Sequence, residues 1–361
     1  MNEKDWKNIK VMLLVFLIWR AVLFLPLFFT QFIPARAGFT HVSSWANFDG
    51  IHYLNIATQG YTTDARFMPL YPLIINFFSF FIPSPFIVGL ILSNIFFFIS
   101  LFALKKLLKF DYDAKRISLT IIFLLLFPTS FFFGAVYSES LFFLLTLLSF
   151  YFARKKQWLL AGVFGALASA TRVVGIILLP ALLIEYIMKK QKNMKDLFGI
   201  FLIPLGTVAY AIYNWLRWGN PLYFLQAQGE LSNGRAVNSI ILPPQLIYRY
   251  IKILFTVSPI QYDWWIALLE FGMFLFAVIL VYIMWKQKIR LSYLIFAVLG
   301  MLIPMMSGTL TGFPRYILPL FPLFIAMSGI KNKVFQIIYV GISIILSFIL
   351  LALFAQGYYI A

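Results

Sequence analysis

The chain has 361 residues, 62% of them hydrophobic and only 11% charged, with a mean hydropathy of +0.91 and a formal net charge of +17. Soluble domains are nearer half apolar and a quarter charged, so this composition excludes an ordinary soluble enzyme. With no cysteine and only two histidines, His41 and His52, disulfides, thiolate sites and histidine-rich metal centres are excluded as well.

Apolar runs long enough for a bilayer begin at 11–33 and recur to the C-terminus, which predicts an all-α polytopic membrane protein. The alternating ten-residue strands of a β-barrel are absent from the sequence. The first run is too long for the apolar core of a cleaved signal and no small-residue cleavage site follows it, so it is expected to remain as a span. Basic breaks fall at 4–10, 105–116, 154–156, 189–195, 286–290 and 331–333. Placing all of these in the cytoplasm accounts for the net charge by the positive-inside rule, with no nucleic-acid partner required.

That assignment puts the N-terminus inside. The chain exits through 11–33, returns through 85–104, exits through 117–136 and returns through 141–153. A hairpin over 158–188 follows, its tip near Thr171 and Arg172, and 197–215 exits again. Spans at 264–285, 291–307, 316–330 and 334–354 complete about eleven crossings, with the C-terminus outside. The apolar stretch 67–82 cannot cross without breaking this parity. It is expected to be re-entrant or interfacial, its approach shaped by Pro69 and Pro72. The whole chain, 1–361, then forms one membrane domain with two substantial outer connections. The first is loop 34–66 extended by 67–82; the second is loop 217–263, which holds the turn "GELSNGRA" and the amphipathic "PPQLIYRYIKILF".

The basic residues outside the cytoplasmic breaks are Arg20, Arg36, Arg66, Arg172, Arg217, Arg235, Arg249, Lys252 and Arg315. All but one are arginine, whereas the cytoplasmic set is mostly lysine. Topology alone does not distinguish the two cations; holding phosphate or carboxylate with a planar fork does. Arg172 and Arg315 each lie in a short turn between apolar segments, where an unpaired cation near hydrocarbon is costly and an anionic partner is required. Arg20, inside the first run, is expected to find a buried acid. The acids on the outer side are Asp49, Asp64, Glu139, Glu230 and Asp263. Asp64 has a ready partner in Arg66 and Glu139 opens a helix, where a carboxylate favours the dipole. Asp49 has no such explanation: it is ringed by aromatic residues, with no lysine or arginine within a dozen positions.

At this point the residues resemble a known family. "WANFDGIHYLNIATQGY" (45–61) with "RFMPLYPLI" after it is similar to the first outer loop of the PIG-V mannosyltransferases and their bacterial relatives. The matching positions include Trp45, Phe48, Asp49, Tyr53, Gly60, Tyr61, Phe67, Pro69, Tyr71 and Pro72, with Phe48 where the family often has tryptophan. "FPTSFFFGAVYSESLFFLL" resembles a second signature around Tyr137, Ser138 and Glu139. "ASATRVVGIIL" resembles a third at Thr171, Arg172 and Gly175, and "FPRYILPLFP" a fourth at Arg315, Tyr316, Phe321 and Pro322. The blocks occur in the family's order over nearly the whole chain.

The resemblance implies a GT-C fold and a glycosyltransferase, a mannosyltransferase by family habit. It would use a polyprenyl-phosphate-sugar donor and a lipid or glycan acceptor among membrane lipids, on the outer face of a bacterial plasma membrane. An acid of the first outer loop would act as base. Inverting transfer to a hydroxyl needs a base, cations for the departing phosphate and a groove for the lipid. Asp49 is the expected base, its pKa raised by an aromatic, partly dry setting. Arg172 and Arg315 are the expected phosphate holders, with no metal or cofactor. Trp45, His52, Tyr53, Tyr61, Arg66, Tyr71, Tyr137 and Glu139 are expected to contact substrate. The rival class is a transporter or lipid-linked-sugar flippase, which predicts repeated halves and midplane charges; the sequence shows no repeat.

Overall fold

The computed structural model describes residues 3–36, 43–62, 64–188, 193–230 and 241–360. His41, Arg235 and most of the turn 229–236 lie outside these described residues. Among the described residues the secondary structure is helical throughout, with no strand.

Helices α1 (Glu3–Val22) and α2 (Leu25–Phe28) carry the first apolar run. The first large loop folds as α3 (Asp49–Gln59) and α4 (Leu70–Ser79), and α4 packs against α3 and α5 (Pro85–Leu108). α5 starts sharply: Ser84 accepts the Ile87 N–H at 3.4 Å and Pro85 occupies a position whose amide needs no partner. Lys105 and Lys106 close its last turn, complementing the helix dipole. α6 (Ala114–Leu125) begins at Asp113, whose carboxylate accepts the Arg116 N–H at 2.8 Å, and stops ahead of Pro128. The expected crossing 117–136 therefore breaks, and 127–138 runs as buried, non-α chain around a 3₁₀ turn at Ser130–Gly134.

α7 (Glu139–Arg154) lies at the centre of the bundle, covered on nearly every side. α8 (Trp158–Thr171) and α9 (Leu178–Ile187) are the two arms of the expected hairpin, with Arg172 extended at the break between them. α10 (Met194–Phe201) and α11 (Leu205–Trp218) meet at a 41° bend beside Pro204. The approach of α8 to α10 depends on glycine: a Cβ on Gly162 would sit 1.6 Å from the Gly199 carbonyl oxygen. The second loop, 217–263, contributes α12 (Tyr223–Glu230) and α13 (Pro243–Thr256). The chain continues through α14 (Tyr262–Lys286), α15 (Leu291–Met305), α16 (Phe313–Tyr316), α17 (Phe321–Ser328) and α18 (Lys333–Ala355).

Among the described residues four segments are long and apolar enough to cross a bilayer: 9–32, α5, α14 and α18; the bent α10–α11 pair makes five. This is fewer than the eleven crossings counted from charge. The other apolar helices among the described residues are shorter than a span, and breaks at Pro128, at Arg172 and at Pro319 with Pro322 separate several of them.

Residues that the charge pattern places on one side do meet in space. At the C-terminal end of α7, Arg154 pairs with Asp111, and Arg290 grips Glu185 through two hydrogen bonds of 2.6 Å. Ser292 donates to the same carboxylate at 2.7 Å. This network ties the ends of α5, α7 and α9 to the start of α15. A second network lies at the N-terminal end of α7, roughly 22 Å away at 1.5 Å per residue.

Candidate functional site

The second network contains one residue from each of the four blocks quoted above. Glu139, the first residue of α7, is fully buried. Its Oε1 lies 2.5 Å from Arg172 Nη1 and 3.5 Å from Arg315 Nε. Arg315 in turn donates to Asp49 Oδ2 at 2.7 Å. The result is an alternating chain, Arg172–Glu139–Arg315–Asp49, built from residues as far as 266 positions apart. Its most buried member is Glu139, and its open end is Asp49, whose side chain keeps 21% exposure against 5% for Arg315.

Each member is held by local structure. Asp49 begins α3, behind Phe48, which adopts φ 54° and ψ −115°, a conformation that costs a bulky residue about 1–3 kcal/mol. Packing repays that strain: the Phe48 ring lies 5.6 Å from Phe354 and 5.4 Å from Tyr359, centroid to centroid. Neighbouring Asn47 donates to the Phe354 carbonyl at 2.8 Å, and its own carbonyl accepts the Tyr137 hydroxyl at 2.7 Å. Arg172 occupies the extended break between α8 and α9, so its side chain reaches the start of α7 and the Ser138 hydroxyl at 3.4 Å. Arg315 lies in α16 after a turn that Glu270 organises. Glu270 accepts the Gly312 N–H at 3.1 Å and the Tyr250 hydroxyl at 2.6 Å, and Tyr250 accepts the Leu310 N–H at 2.9 Å.

The pKa expected for Asp49 is corrected in sign. Burial does push it up, but the guanidiniums of Arg315 and Arg66, the hydrogen bond from Arg315 and the charge of His52 together outweigh that effect. The carboxyl is held below its ordinary value. Asp49 therefore stays ionised in the free protein.

The other expected contacts divide into a rim and a supporting layer. His52, one turn along α3 from Asp49, stacks on Phe67 at 5.2 Å and lies 2.8 Å from Asp64 through Nδ1. Asp64 thus faces His52 rather than the expected Arg66. Arg66 lies over the Phe67 ring at 4.7 Å, and its buried Nε has no hydrogen-bond partner. Tyr53 is nearly covered and shares a 2.8 Å hydrogen bond with Ser138, directly beside Arg172. Trp45, Tyr71 and Tyr137, expected at the substrate surface, are instead buried. Tyr71 hydrogen-bonds Ser93 at 2.7 Å and the Gly89 carbonyl at 3.1 Å, fixing the loop onto α5. Trp45 lies under the Arg20 guanidinium at 3.8 Å, so Arg20 meets an aromatic face where an acid was expected. Tyr61 donates to the Phe67 carbonyl at 2.7 Å and packs against Tyr210 and Tyr213 of α11.

Ser138, Asn47 and the Glu270–Tyr250 clasp had no part in the sequence-derived site. Ser138 was visible within the quoted block; nothing in the sequence marks Asn47 or pairs Glu270 with Tyr250. Among the described residues no group of three histidine, aspartate or glutamate side chains is arranged to hold a metal ion.

Taken together, the composition, the apolar helices and this buried ionic chain define an all-helical integral membrane protein. No family model and no curated protein matches the chain. Among solved structures it is similar to the apo crystal structure of the Archaeoglobus fulgidus oligosaccharyltransferase, with 14% identity and a TM-score of 0.48 over 97% of this chain. The match covers 56% of that enzyme, so this chain spans little more than half its length.

Proposed function

We propose that this chain is a membrane glycosyltransferase of the GT-C type that moves a sugar, mannose by resemblance, from a polyprenyl-phosphate donor to a lipid or glycan hydroxyl, with inversion, on the outer membrane face. One observation carries the proposal: the four blocks that resemble the PIG-V family, scattered from residue 45 to 322, each supply one member of a single ionic chain.

The geometry suits such chemistry. Arg172 and Arg315 are planar donors in a largely water-excluded setting, where they act strongly on a phosphate gaining charge as the sugar leaves. In the free protein Glu139 and Asp49 answer them. A donor phosphate competes with Asp49 for Arg315, because Asp49 is the more exposed and terminal member. Once Arg315 turns to phosphate, Asp49 loses the foremost of the partners that lower its pKa and becomes a stronger base, just as the acceptor hydroxyl requires one. The acceptor oxygen then attacks the anomeric carbon, the carbon–oxygen bond to phosphate breaks, and the electron pair departs with the phosphate. Asp49 takes the acceptor's proton.

The test is to incubate reconstituted protein with a panel of radiolabelled polyprenyl-phosphate sugars and membrane lipid extract. Label appearing in a new lipid or glycan, and lost with Asp49→Asn, supports the proposal. No transfer from any donor, or full transfer by Asp49→Asn, rejects it.

A further inference from the structure

Resting on the transferase proposal, we infer that the segment after α18 is a latch: the Tyr359 ring holds Phe48 in its unfavourable conformation and so keeps Asp49 against Arg315. Tyr359 is then a positioning residue for the reaction, and it lies outside all four blocks that resemble the PIG-V family.

Asn47, Phe48, Asp49 and Gly50 form a turn in which the Gly50 N–H donates to the Asn47 carbonyl at 3.2 Å. With φ 54° and ψ −115°, Phe48 occupies the first central position of a type II′ turn, where glycine is at ease and a side chain is not. Asp49 is the second central residue, so its direction is set by the peptide that Phe48 turns. A relaxed Phe48 opens the turn and carries the carboxylate away from Arg315. Such a backbone persists only where its surroundings fix it from several sides.

Two walls do so. The first is the chain ahead of α7: the Val136 N–H donates to the Trp45 carbonyl at 2.8 Å, and the Tyr137 hydroxyl to the Asn47 carbonyl at 2.7 Å. The second is the end of α18 with the residues that follow. There the Phe48 ring meets Phe354 at 5.6 Å and Tyr359 edge-on, with the planes at 86°. Tyr359 reaches Phe48 because α18 ends in a reversal at Gly357, φ 81°. The Gly357 N–H donates to the Phe354 carbonyl at 3.2 Å and the Tyr358 N–H to the Leu353 carbonyl at 3.0 Å, a glycine-terminated cap that turns the chain back on itself.

The latch is fastened without help from Phe48. Gln356 donates through Nε2 to the Thr30 carbonyl at 2.6 Å, and its own carbonyl accepts the Arg36 N–H at 3.0 Å. The Tyr358 hydroxyl donates to the Pro34 carbonyl at 3.2 Å. Tyr262, the first residue of α14, donates to the Tyr359 carbonyl at 2.9 Å, and Ile360 is buried. The backbone that carries the Tyr359 ring is thus tied to the entry of the first large loop and to α14, and the ring bears on Phe48 from a fixed base.

The experiment uses the full chain in lipid nanodiscs and the donor found active in the panel assay. Tyr359→Ala is expected to lower kcat by about 5–30-fold, the active population lost when a strain of this size is no longer held. It should also tighten equilibrium donor binding, because Asp49 lets go of Arg315; a simple loss of folded protein would lower kcat without that gain. Tyr359→Phe keeps the ring and should keep both values. Phe48→Gly removes the strained side chain, and adding Tyr359→Ala to it should change kcat by less than about twofold. A second arm needs no donor. The chain has no native cysteine, so a nitroxide on Asn55→Cys, at an exposed position of α3, reports on that helix alone. Its spectrum should show greater mobility with Tyr359→Ala and not with Tyr359→Phe. Wild-type kcat and donor binding in Tyr359→Ala, equal losses in the Phe and Ala variants, or the full loss persisting in the Phe48→Gly background each overturn the latch while leaving the transferase proposal in place. An unmoved nitroxide spectrum in Tyr359→Ala overturns it as well. If the wild type transfers nothing from any donor, the transferase proposal falls, and the nitroxide arm alone decides whether Tyr359 holds the loop.

Discussion

Asp49→Asn has two effects of opposite sign. The substitution keeps the shape of the side chain and removes its charge, so Arg315 loses its 2.7 Å ionic partner and keeps only the 3.5 Å approach to Glu139. A charge-assisted hydrogen bond of this kind contributes about 1.5–3 kcal/mol. On the proposed mechanism a donor phosphate has to displace it in the wild type and not in the variant. Donor affinity should therefore rise by about 10- to 150-fold in Asp49→Asn, even as transfer is lost. Asn still offers a carbonyl to Arg315, which favours the lower part of that range. The assay is paired: equilibrium binding of a polyprenyl-phosphate sugar to protein in nanodiscs, followed by transfer of label under the same conditions. Weaker donor binding in the variant would refute the competition between Asp49 and phosphate. Tighter binding with undiminished transfer would refute the role of Asp49 as base.

Glu139→Ala leaves two arginines facing each other in a buried setting and should destabilise the protein by about 3–5 kcal/mol, read as a drop in the thermal midpoint in detergent; an unchanged midpoint would show that Glu139 is not the link between them. Gly162→Ala drives a methyl into the Gly199 carbonyl and should cost at least about 1–3 kcal/mol, with α8 and α10 forced apart, so cysteine crosslinking between those helices should fall. Tyr71→Phe removes a hydroxyl that serves Ser93 and the Gly89 carbonyl; a loss of about 1–2 kcal/mol in stability with an unchanged donor KM is expected, and a raised KM would return Tyr71 to the substrate surface. Asp49 also gives stability a pH dependence. Its folded-state pKa is depressed, so its contribution is complete above the unfolded value of about 3.9 and is lost as pH falls through the lower folded value. The difference in unfolding free energy between wild type and Asp49→Asn should be flat above about pH 5 and close on further acidification.

The members of the ionic chain were legible because charge is scarce in this sequence. An acid without a neighbouring base, and arginines in turns between apolar runs, are costly unless something answers them, and the structure shows what does. Their pairing was not legible. Arg315 and Asp49 are 266 positions apart, and distance along the chain says nothing about which cation meets which anion. The same limit explains Asp64, which faces His52 across the turn although Arg66 is closer in sequence. Aromatic residues misled in another way. Tyr71 and Tyr137 carry a hydroxyl that marks a binding surface as readily as a buried hydrogen bond, and only their burial decides between the two. The start of α5 at Pro85, behind the Ser84 cap, was read from the sequence, whereas the bend at Pro204 was not, since 197–215 was expected as one crossing. The break at 126–138 was missed because its apolar composition matches a span, although Pro128 sits within it. The conformation of Phe48 has no sequence signal: a bulky residue at positive φ is tolerated only because distant rings hold it.

Those distant rings belong to the last helix, and this has a consequence for how the protein is made. Asn47 waits 307 residues for the Phe354 carbonyl, and Phe48 waits as long for its packing partner. At ordinary translation rates of about 5–20 residues per second, the loop bearing Asp49 is made roughly 15–60 s before α18 is complete. During that interval the loop lacks the partners that α18 supplies, and Arg172 and Glu139 can pair first, since both are synthesised long before Arg315. Assembly of the ionic chain is then ordered, its Arg172–Glu139 half first, and the site becomes complete only when synthesis is nearly finished.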